Sequence, residues 1–197
     1  MSFSALIKQR RTIYHLGSTL SVSETTIEQL VEDAVKHSPW AFNSQSARVI
    51  ILFGEAHHKL WALTKETLRA IVPPDRFGAT EDKIASFGAG AGTVLFFEDQ
   101  SVVDDLMKNF ALYAPNFPVW SQQSSGMLQY VVWTGLANIN VGASLQHYNE
   151  VIESDVAEAF DIPSTWKLIA QMPFGSIETP AGDKRFNPIE DRFQVLR

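Results

Sequence analysis

The sequence has no cysteine. This absence excludes a disulfide framework, a thiol nucleophile, a cysteine-ligated zinc site and an iron–sulfur cluster. Charged residues make up only 19% of the chain, and the net charge of −6 argues against sequence-independent binding to nucleic acid, which needs a basic face. An unbroken apolar run of about 20 residues is also lacking, so we expect no transmembrane span. No signal peptide is visible behind Met1, and we expect a cytoplasmic protein.

Several motifs for catalysis or metal binding are missing as well. No two histidines have the i, i+4 spacing of a zinc protease, and His57 and His58 are adjacent, so we predict no metal site. A Gly-x-Ser-x-Gly nucleophile motif is absent. The glycines at 88, 90 and 92 precede a predicted strand, whereas a dinucleotide-binding turn follows one, so we expect a tight turn or close backbone packing there.

What is present predicts a single domain over residues 1–197. An apolar fraction of 45% is enough for a core. Apolar periodicity and breaker residues predict that helices alternate with a few buried strands, which indicates an α+β or α/β layered domain around a small sheet. We predict helices over 2–9, 57–71, 102–113, 121–139 and 153–160, a helical or irregular 75–87, and strands over 49–53, 93–97, 166–171 and 193–196. A further helix is predicted between a cap at Ser21 and the stop at Ser38-Pro39, with its apolar stripe over 27–35. Residues 175–188 are predicted as a loop, and Ser21 as a helix cap with Glu24 three residues later.

Residues 109–149 contain no Asp, Glu, Lys or Arg. A segment of this length without formal charge is unusual on the surface of a protein. Interface cores lose charged residues and gain aromatic residues and Met, and the segment contains Trp120, Met127, Tyr130 and Trp133. We therefore expect it to be buried, either inside the fold or at a subunit interface.

Basic residues are concentrated at the two ends of the chain. Seven of the 16 Lys and Arg residues are Lys8, Arg10, Arg11, Lys184, Arg185, Arg192 and Arg197. Either the two ends are solvated separately, or they converge on one anionic group. In Arg10-Arg11-Thr12, two guanidinium groups and a hydroxyl lie within three residues, a donor set that suits a phosphate monoester.

A second polar cluster lies between a predicted helix and a buried strand. Residues 38–48 include Asn43 and Gln45, whose amide side chains each offer a donor and an acceptor. Such a loop could form hydrogen bonds along the edge of a heterocycle that carries an N–H between two carbonyls. Considered singly, each of the two polar clusters is also typical of a capped turn.

Taken in order, these segments resemble the nitroreductase family of FMN-dependent oxidoreductases, and within it the fatty-acid-repression-mutant-like subgroup. The resemblance extends over essentially the whole chain. The matching segments are Arg10-Arg11-Thr12, Ser38–Gln45, Leu95–Asp99, Gly142–Asn149, Gln171–Gly175 and Lys184-Arg185.

The resemblance implies a three-layer α+β fold, with a small and mostly antiparallel sheet between helices, and an intertwined homodimer with two FMN sites at its interface. It implies that the FMN phosphate is held by Arg10, Arg11, Thr12, Lys184 and Arg185. A loop of the partner subunit would contact the ring and ribityl chain through Pro39, Trp40, Ala41, Asn43 and Gln45, with Trp40 in the place of the family's usual Ser. The pyrimidine side of the flavin would be lined by Leu145, Gln146 and His147.

The implied activity is ping-pong hydride transfer from NAD(P)H through flavin N5 to a nitroaromatic or quinone-like acceptor. The flavin carries this chemistry, so no protein nucleophile or acid–base pair is required. We expect the walls for a flat aromatic substrate to be Phe42, Phe77, Phe110, Phe117 and Trp120. Two alternatives remain open: a dimeric, non-enzymatic protein that responds to flavin or fatty acids, and an FMN enzyme of another reaction, such as flavin fragmentation or dehalogenation.

Overall fold

The computed structural model describes residues 2–197, which form five strands and seven α-helices. The strands are β1 (Leu16–Gly17), β2 (Ala47–Phe53), β3 (Gly92–Asp99), β4 (Gly142–Ala143) and β5 (Trp166–Ile177). The helices are α1 (Phe3–Gln9), α2 (Glu24–His37), α3 (Gly54–Ile71), α4 (Phe77–Gly88), α5 (Gln100–Asn109), α6 (Phe117–Asn138) and α7 (Asn149–Ala159). Short 3₁₀ helices cover Ala41–Asn43, Pro74–Arg76 and Ala111–Asn116.

All the strands belong to one antiparallel sheet in the order β1-β5-β3-β2, with β4 paired to β5. Helices cover both faces of this sheet, so the predicted three-layer α+β architecture is confirmed. Strand β3 is buried along its whole length, which explains its continuous apolar sequence. Its alternate side chains point to opposite faces: Val94 and Phe96 join one core, and Leu95 and Phe97 join the other.

The first core lies between the sheet and helices α2 and α6. Leu128, Val132 and Leu136 of α6 are completely buried there. The second core lies between the opposite face and helices α3, α4 and α7, with Trp61 and Phe87 at its centre. The uncharged segment over 109–149 is mainly α6 and β4. One side of α6 is buried in this core, as predicted, whereas its other side is exposed in the single chain.

Helix α2 begins two residues later than the sequence pattern indicates. The cap is Ser23, whose Oγ accepts a hydrogen bond from the Thr26 amide at 3.2 Å, so the prediction of Ser21 as the cap is wrong. Glu24 thus becomes the first residue of the helix, where its negative charge faces the positive end of the helix dipole.

Two predictions near the C-terminus also need correction. Strand β5 continues to Ile177, beyond the predicted start of the loop at 175, because β1 and β4 both pair with its last residues. The strand predicted over 193–196 does not form within the single chain: Phe193 and Leu196 are exposed, and among residues 2–197 no backbone pairs with theirs. Pairing of this segment with the partner subunit's sheet stays a prediction.

The glycine-rich turn before β3 packs closely against the end of β5. A Cβ atom on Gly90 would lie 2.8 Å from the Phe174 carbonyl oxygen, and one on Gly92 would lie 2.5 Å from the Phe174 ring. The prediction of close backbone packing is confirmed, since only glycine fits at these contacts.

A buried histidine joins α3 to the turn before β3. The Gly88 carbonyl can only accept, so His57 donates to it from Nε2 at 3.2 Å. The His57 Nδ1 then accepts from the Thr93 hydroxyl at 2.9 Å, and Thr93 Oγ1 accepts from Trp61 Nε1 at 2.9 Å. Burial lowers the pKa of His57 to about 4, so the neutral ring is the native form near neutral pH.

This arrangement predicts an acid-dependent loss of stability. The unfolded chain binds a proton at His57 near pH 6.5, whereas the folded chain does so only near pH 4. The free energy of unfolding should therefore fall as the pH is lowered from 6.5 to 4. Urea unfolding at several pH values measures this slope. His57→Gln should flatten it, and His37→Gln, at an exposed site, should leave it as in the wild type. Equal slopes for the wild type and His57→Gln would contradict this assignment.

Candidate functional site

The two basic chain ends meet at one cavity of about 490 Å³, here called the basic cavity. They meet because β1 pairs with the last residues of β5: Leu16 lies opposite Ile177, and the Glu178 amide donates to the His15 carbonyl at 3.1 Å. The residues before β1 therefore lie beside those after β5. The lining residues are Arg10, Arg11, Thr12, Tyr14, His15, Thr179, Pro180, Ala181, Gly182, Asp183 and Lys184.

Direct contacts fix two of the basic side chains. Arg11 donates from Nη2 to the Gly182 carbonyl at 2.7 Å, which links the two chain ends across the basic cavity. The guanidinium carbon of Arg10 lies 4.3 Å from the centre of the Trp133 ring. The Arg10 Nε is buried without a hydrogen-bond partner. Because buried donors are normally satisfied, this atom indicates that the site is built to receive an acceptor.

The charge of the basic cavity favours an anion. Arg10, Arg11 and Lys184 contribute three cations, and Asp183 contributes the one carboxylate among the lining residues. The Thr12 side chain adds a neutral donor at the point where its backbone bridges to Ala143. Arg185 is exposed and does not line the basic cavity, so the structure separates it from the other residues assigned to a phosphate.

The amide-rich loop between α2 and β2 has an unusual backbone. Phe42, Asn43 and Gln45 have φ values of 57°, 50° and 49°, the left-handed region that residues other than glycine rarely adopt. The Asn43 and Gln45 side chains are exposed. The loop and α6 enclose a second cavity of about 490 Å³, here called the aromatic cavity, lined by Pro39, Trp40, Ala41, Phe42, Trp120, Gln123, Ser124 and Met127.

Four of the five predicted substrate residues gather beside the aromatic cavity, but only Phe42 and Trp120 line it. Phe117 is 2% exposed and supports the other rings from below, so its assignment as a substrate wall has to be corrected. The Phe42 ring lies 5.0 Å from Phe110, 5.2 Å from Phe117 and 6.0 Å from Trp120, with the Phe42 and Trp120 planes only 18° apart. Tyr113, which the sequence argument missed, joins them at 5.8 Å from Phe42. We call these five residues the aromatic cluster. It includes exposed rings, which is the usual sign of a binding surface.

Phe77 does not belong to this group, so its assignment as a substrate wall has to be corrected. It is 5% exposed and packs in the second core, on the opposite side of the sheet from α6. The Arg69 guanidinium covers its ring at 4.3 Å. The sequence could not distinguish these aromatic residues, because an exposed and a buried phenylalanine look alike in an apolar periodicity.

The segment Leu145–His147 runs beside β5. The Gln146 backbone N–H donates to the Gln171 carbonyl at 2.7 Å, and the Gln146 carbonyl accepts from the Gln171 backbone N–H at 2.9 Å. The Gln146 side chain is buried and donates to Ser144 Oγ at 3.0 Å, which leaves its amide turned inward. Leu145 packs against the first core, whereas His147 is exposed and lines a polar cavity of about 540 Å³ with Gln129 and Lys167.

Within one chain, the basic cavity and the aromatic cluster lie toward opposite ends of α6. Trp133 contacts Arg10, and Trp120 belongs to the aromatic cluster. These two tryptophans are about 20 Å apart along the helix axis at 1.5 Å per residue. Within one chain, four of the five predicted phosphate residues therefore line the basic cavity. The predicted loop residues and all the predicted ring residues except Phe77 lie together at the other end of α6, and the two groups do not meet.

Among residues 2–197, no group of three or more His, Asp or Glu side chains is placed to hold a metal ion. In the same range, no helix combines the length and the apolar character needed to cross a membrane.

Comparison with known proteins gives one consistent result. The family model described as "Nitroreductase family" matches residues 7–176. The nitroreductase FRM2 of Saccharomyces cerevisiae is 31% identical over 171 residues, which is 86% of this chain and 84% of FRM2. The structure of the nitroreductase CinD from Lactococcus lactis in complex with chloramphenicol is 46% identical, covers 100% of both chains and has a TM-score of 0.92.

CinD has also been solved with nicotinic acid and with 4-nitrophenol. A more distant structure, from Exiguobacterium sibiricum and in complex with FMN, is 14% identical with a TM-score of 0.74, covering 100% of this chain and 98% of the other. At that identity the likeness concerns the fold alone.

Proposed function

This chain belongs to the nitroreductase family, and from that premise we propose that it is an FMN-dependent NAD(P)H oxidoreductase that reduces nitroaromatic or quinone-like acceptors. The observation that carries the proposal is the basic cavity, in which Arg10, Arg11 and Lys184 from the two chain ends face one space. A phosphate dianion would offset this concentration of positive charge, and FMN carries such a group.

The residues of the basic cavity fit the FMN phosphate. Arg10 and Arg11 present forked donors, Lys184 adds an ammonium group, and Thr12 adds a hydroxyl. The buried Nε of Arg10 lacks a partner that a phosphate oxygen would supply. Arg185 lies outside the basic cavity, and we assign it no direct contact with the phosphate from the same chain.

FMN held by these residues would supply the redox chemistry, a ping-pong transfer of hydride from NAD(P)H through N5 to the acceptor. The protein binds, orients and shields the reactants. The near-parallel rings of Phe42 and Trp120 offer apolar faces to a flat acceptor. The aromatic ligands in the structures of CinD support an acceptor of this class.

We further propose that a homodimer completes the site. An antiparallel crossing of two α6 helices would place Trp120 of one subunit near Trp133 of the other if the helices cross midway, at Gly126. Gly126 suits a close crossing, because nothing lies within 4 Å of the position of a Cβ atom there. The exposed stripe of α6 around it is uncharged and includes Val119, Gln122, Gln123, Met127, Tyr130 and Val131.

The most direct test of the activity is spectroscopic. Fresh protein should show flavin absorbance, and anaerobic titration with NADH and with NADPH should bleach it; a nitroaromatic acceptor should restore it. Protein that binds no FMN, or binds FMN but oxidises neither nicotinamide, would contradict the proposal and favour a non-enzymatic binding role.

Removing one cation from the basic cavity should weaken FMN retention. A charge-assisted hydrogen bond contributes roughly 1.5–3 kcal/mol, so Arg11→Ala should raise the Kd for FMN at least about tenfold while the dimer stays intact. Flavin fluorescence titration measures this change. Arg76→Ala is the matched control, since Arg76 is exposed and lies outside the basic cavity. Unchanged flavin content of Arg11→Ala after dialysis would contradict the assigned role.

A negative charge near the proposed crossing should dissociate the dimer. Met127→Glu would bring two like charges close together across a two-fold axis, in a surface that is otherwise uncharged. Analytical ultracentrifugation should show a dimer for the wild type and a monomer for Met127→Glu. Ile71→Glu, which places the same charge on the exposed end of α3, should remain dimeric. A dimeric Met127→Glu variant would exclude this part of α6 as the interface.

A further inference from the structure

Strand β3 ends in two adjacent carboxylates, Glu98 and Asp99, that the proposed chemistry does not use. Glu98 is completely buried, and among residues 2–197 no cation forms a salt bridge with it, since the nearby Arg48 pairs with Asp99. Burial raises the pKa of Glu98, although hydrogen bonds from Ser46 and Ser121 act in the opposite direction. A buried carboxylate is costly to maintain, so its contacts call for an explanation.

Glu98 joins three separate elements through one oxygen. Its Oε2 accepts a hydrogen bond from the Ser46 hydroxyl at 2.7 Å and another from the Ser121 hydroxyl at 3.1 Å. Ser46 ends the left-handed loop that carries Phe42, and Ser121 follows Trp120 on α6. Through β3, Glu98 thus links the segments that hold the two stacked rings.

Asp99 fixes the same loop by a second route. Its Oδ2 pairs with Arg48 at 3.0 Å, and Arg48 Nη1 donates to the carbonyl oxygens of Gln45 and Ala47, both at 2.9 Å. Burial alone would raise the pKa of Asp99, but hydrogen bonds from Ser101 and Thr165 and the charge of Arg48 lower it below its usual range, so Asp99 is a stable anion.

The loop needs such contacts because its backbone is strained. Phe42, Asn43 and Gln45 each hold a left-handed conformation, which costs about 1–2 kcal/mol for a residue other than glycine. Strained conformations persist only where surrounding contacts determine them, and they concentrate at ligand sites. Here the contacts come from Glu98 and from the Asp99–Arg48 pair.

We propose that Glu98 is a positioning residue for the aromatic acceptor: by accepting hydrogen bonds from both Ser46 and Ser121, it holds Phe42 beside Trp120. The two stacked rings then form one apolar wall of the aromatic cavity, against which a flat aromatic ring packs. This inference rests on the proposed function, because it assigns the aromatic cavity to the acceptor. It concerns the affinity for the acceptor, whereas the affinity for the FMN phosphate depends on the basic cavity.

The test is the Kd of FMN-loaded protein for 4-nitrophenol, measured by calorimetry, with FMN affinity measured separately. Glu98→Ala should raise the Kd for 4-nitrophenol at least fivefold, because Phe42 and Trp120 lose their common support. Glu98→Gln should stay within about twofold of the wild type, since its amide oxygen can still accept from both serines. Ser121→Ala removes one of the two contacts and should give an intermediate rise, which keeps the proposal testable should Glu98→Ala fold poorly.

Thr93→Val is the matched control for stability. Thr93 is also completely buried in β3 and also makes two side-chain hydrogen bonds, but it lies at the opposite end of the strand. Thr93→Val should lower the melting temperature and leave the Kd for 4-nitrophenol unchanged.

The possible results distinguish a failure of the role of Glu98 from a failure of the proposed function. Wild-type affinity for 4-nitrophenol in folded Glu98→Ala or Ser121→Ala would overturn the role of Glu98 and leave the proposed function standing. A Glu98→Gln variant as weak as Glu98→Ala would also overturn it. A wild-type protein that binds FMN but no nitroaromatic compound would overturn the acceptor class itself, and with it this inference.

Discussion

The pairing of β1 with the end of β5 determines where the candidate site forms. It is a short pairing, with Leu16 opposite Ile177 and Gly17 opposite Ser176, yet it brings the first and last parts of the chain side by side. Gly175 permits this approach, since a Cβ atom there would lie 2.1 Å from the Gly17 carbonyl oxygen. Cations that are far apart in sequence then face one cavity, and an anion bound between them would offset their mutual repulsion.

Helix α6 carries the second constraint. One side of it fills the first core through Leu128, Val132 and Leu136, and the other side is exposed and uncharged. Its two ends support different halves of the proposed site, with Trp133 beside Arg10 and Trp120 in the aromatic cluster. The lack of charge along this helix is consistent with a surface that a second copy covers, and with a flavin held where the two copies meet.

The layered fold could largely be predicted from the sequence, because its signals are local. The strands predicted over 49–53, 93–97 and 166–171 lie within β2, β3 and β5, and the first two follow from continuous apolar runs. Helices α2, α3 and α6 follow from apolar periodicity and breakers. Strands β1 and β4 were missed, since two residues carry no periodicity. The helix cap was predicted at Ser21 and lies at Ser23. Both serines precede the helix, and only the backbone conformation distinguishes them.

The candidate site was predictable in composition but not in geometry. The clustering of cations at the chain ends pointed to an anion, and Arg10, Arg11, Thr12 and Lys184 do line one cavity, whereas Arg185 does not. The network around Glu98 gave no signal, because serine and glutamate at 46, 98 and 121 are common residues without a recognisable spacing. The position of Phe77 in the other core likewise depends on tertiary packing alone.

The central claim is that the basic cavity binds the phosphate of FMN, and a comparison of FMN with riboflavin tests it most directly. The two ligands differ only in the phosphate, and several charge-assisted contacts of roughly 1.5–3 kcal/mol each should separate their affinities. Fluorescence titration of the flavin-free protein should give a Kd for FMN at least about 100-fold below that for riboflavin, and added salt should narrow the difference. Equal affinity for the two flavins would contradict the account.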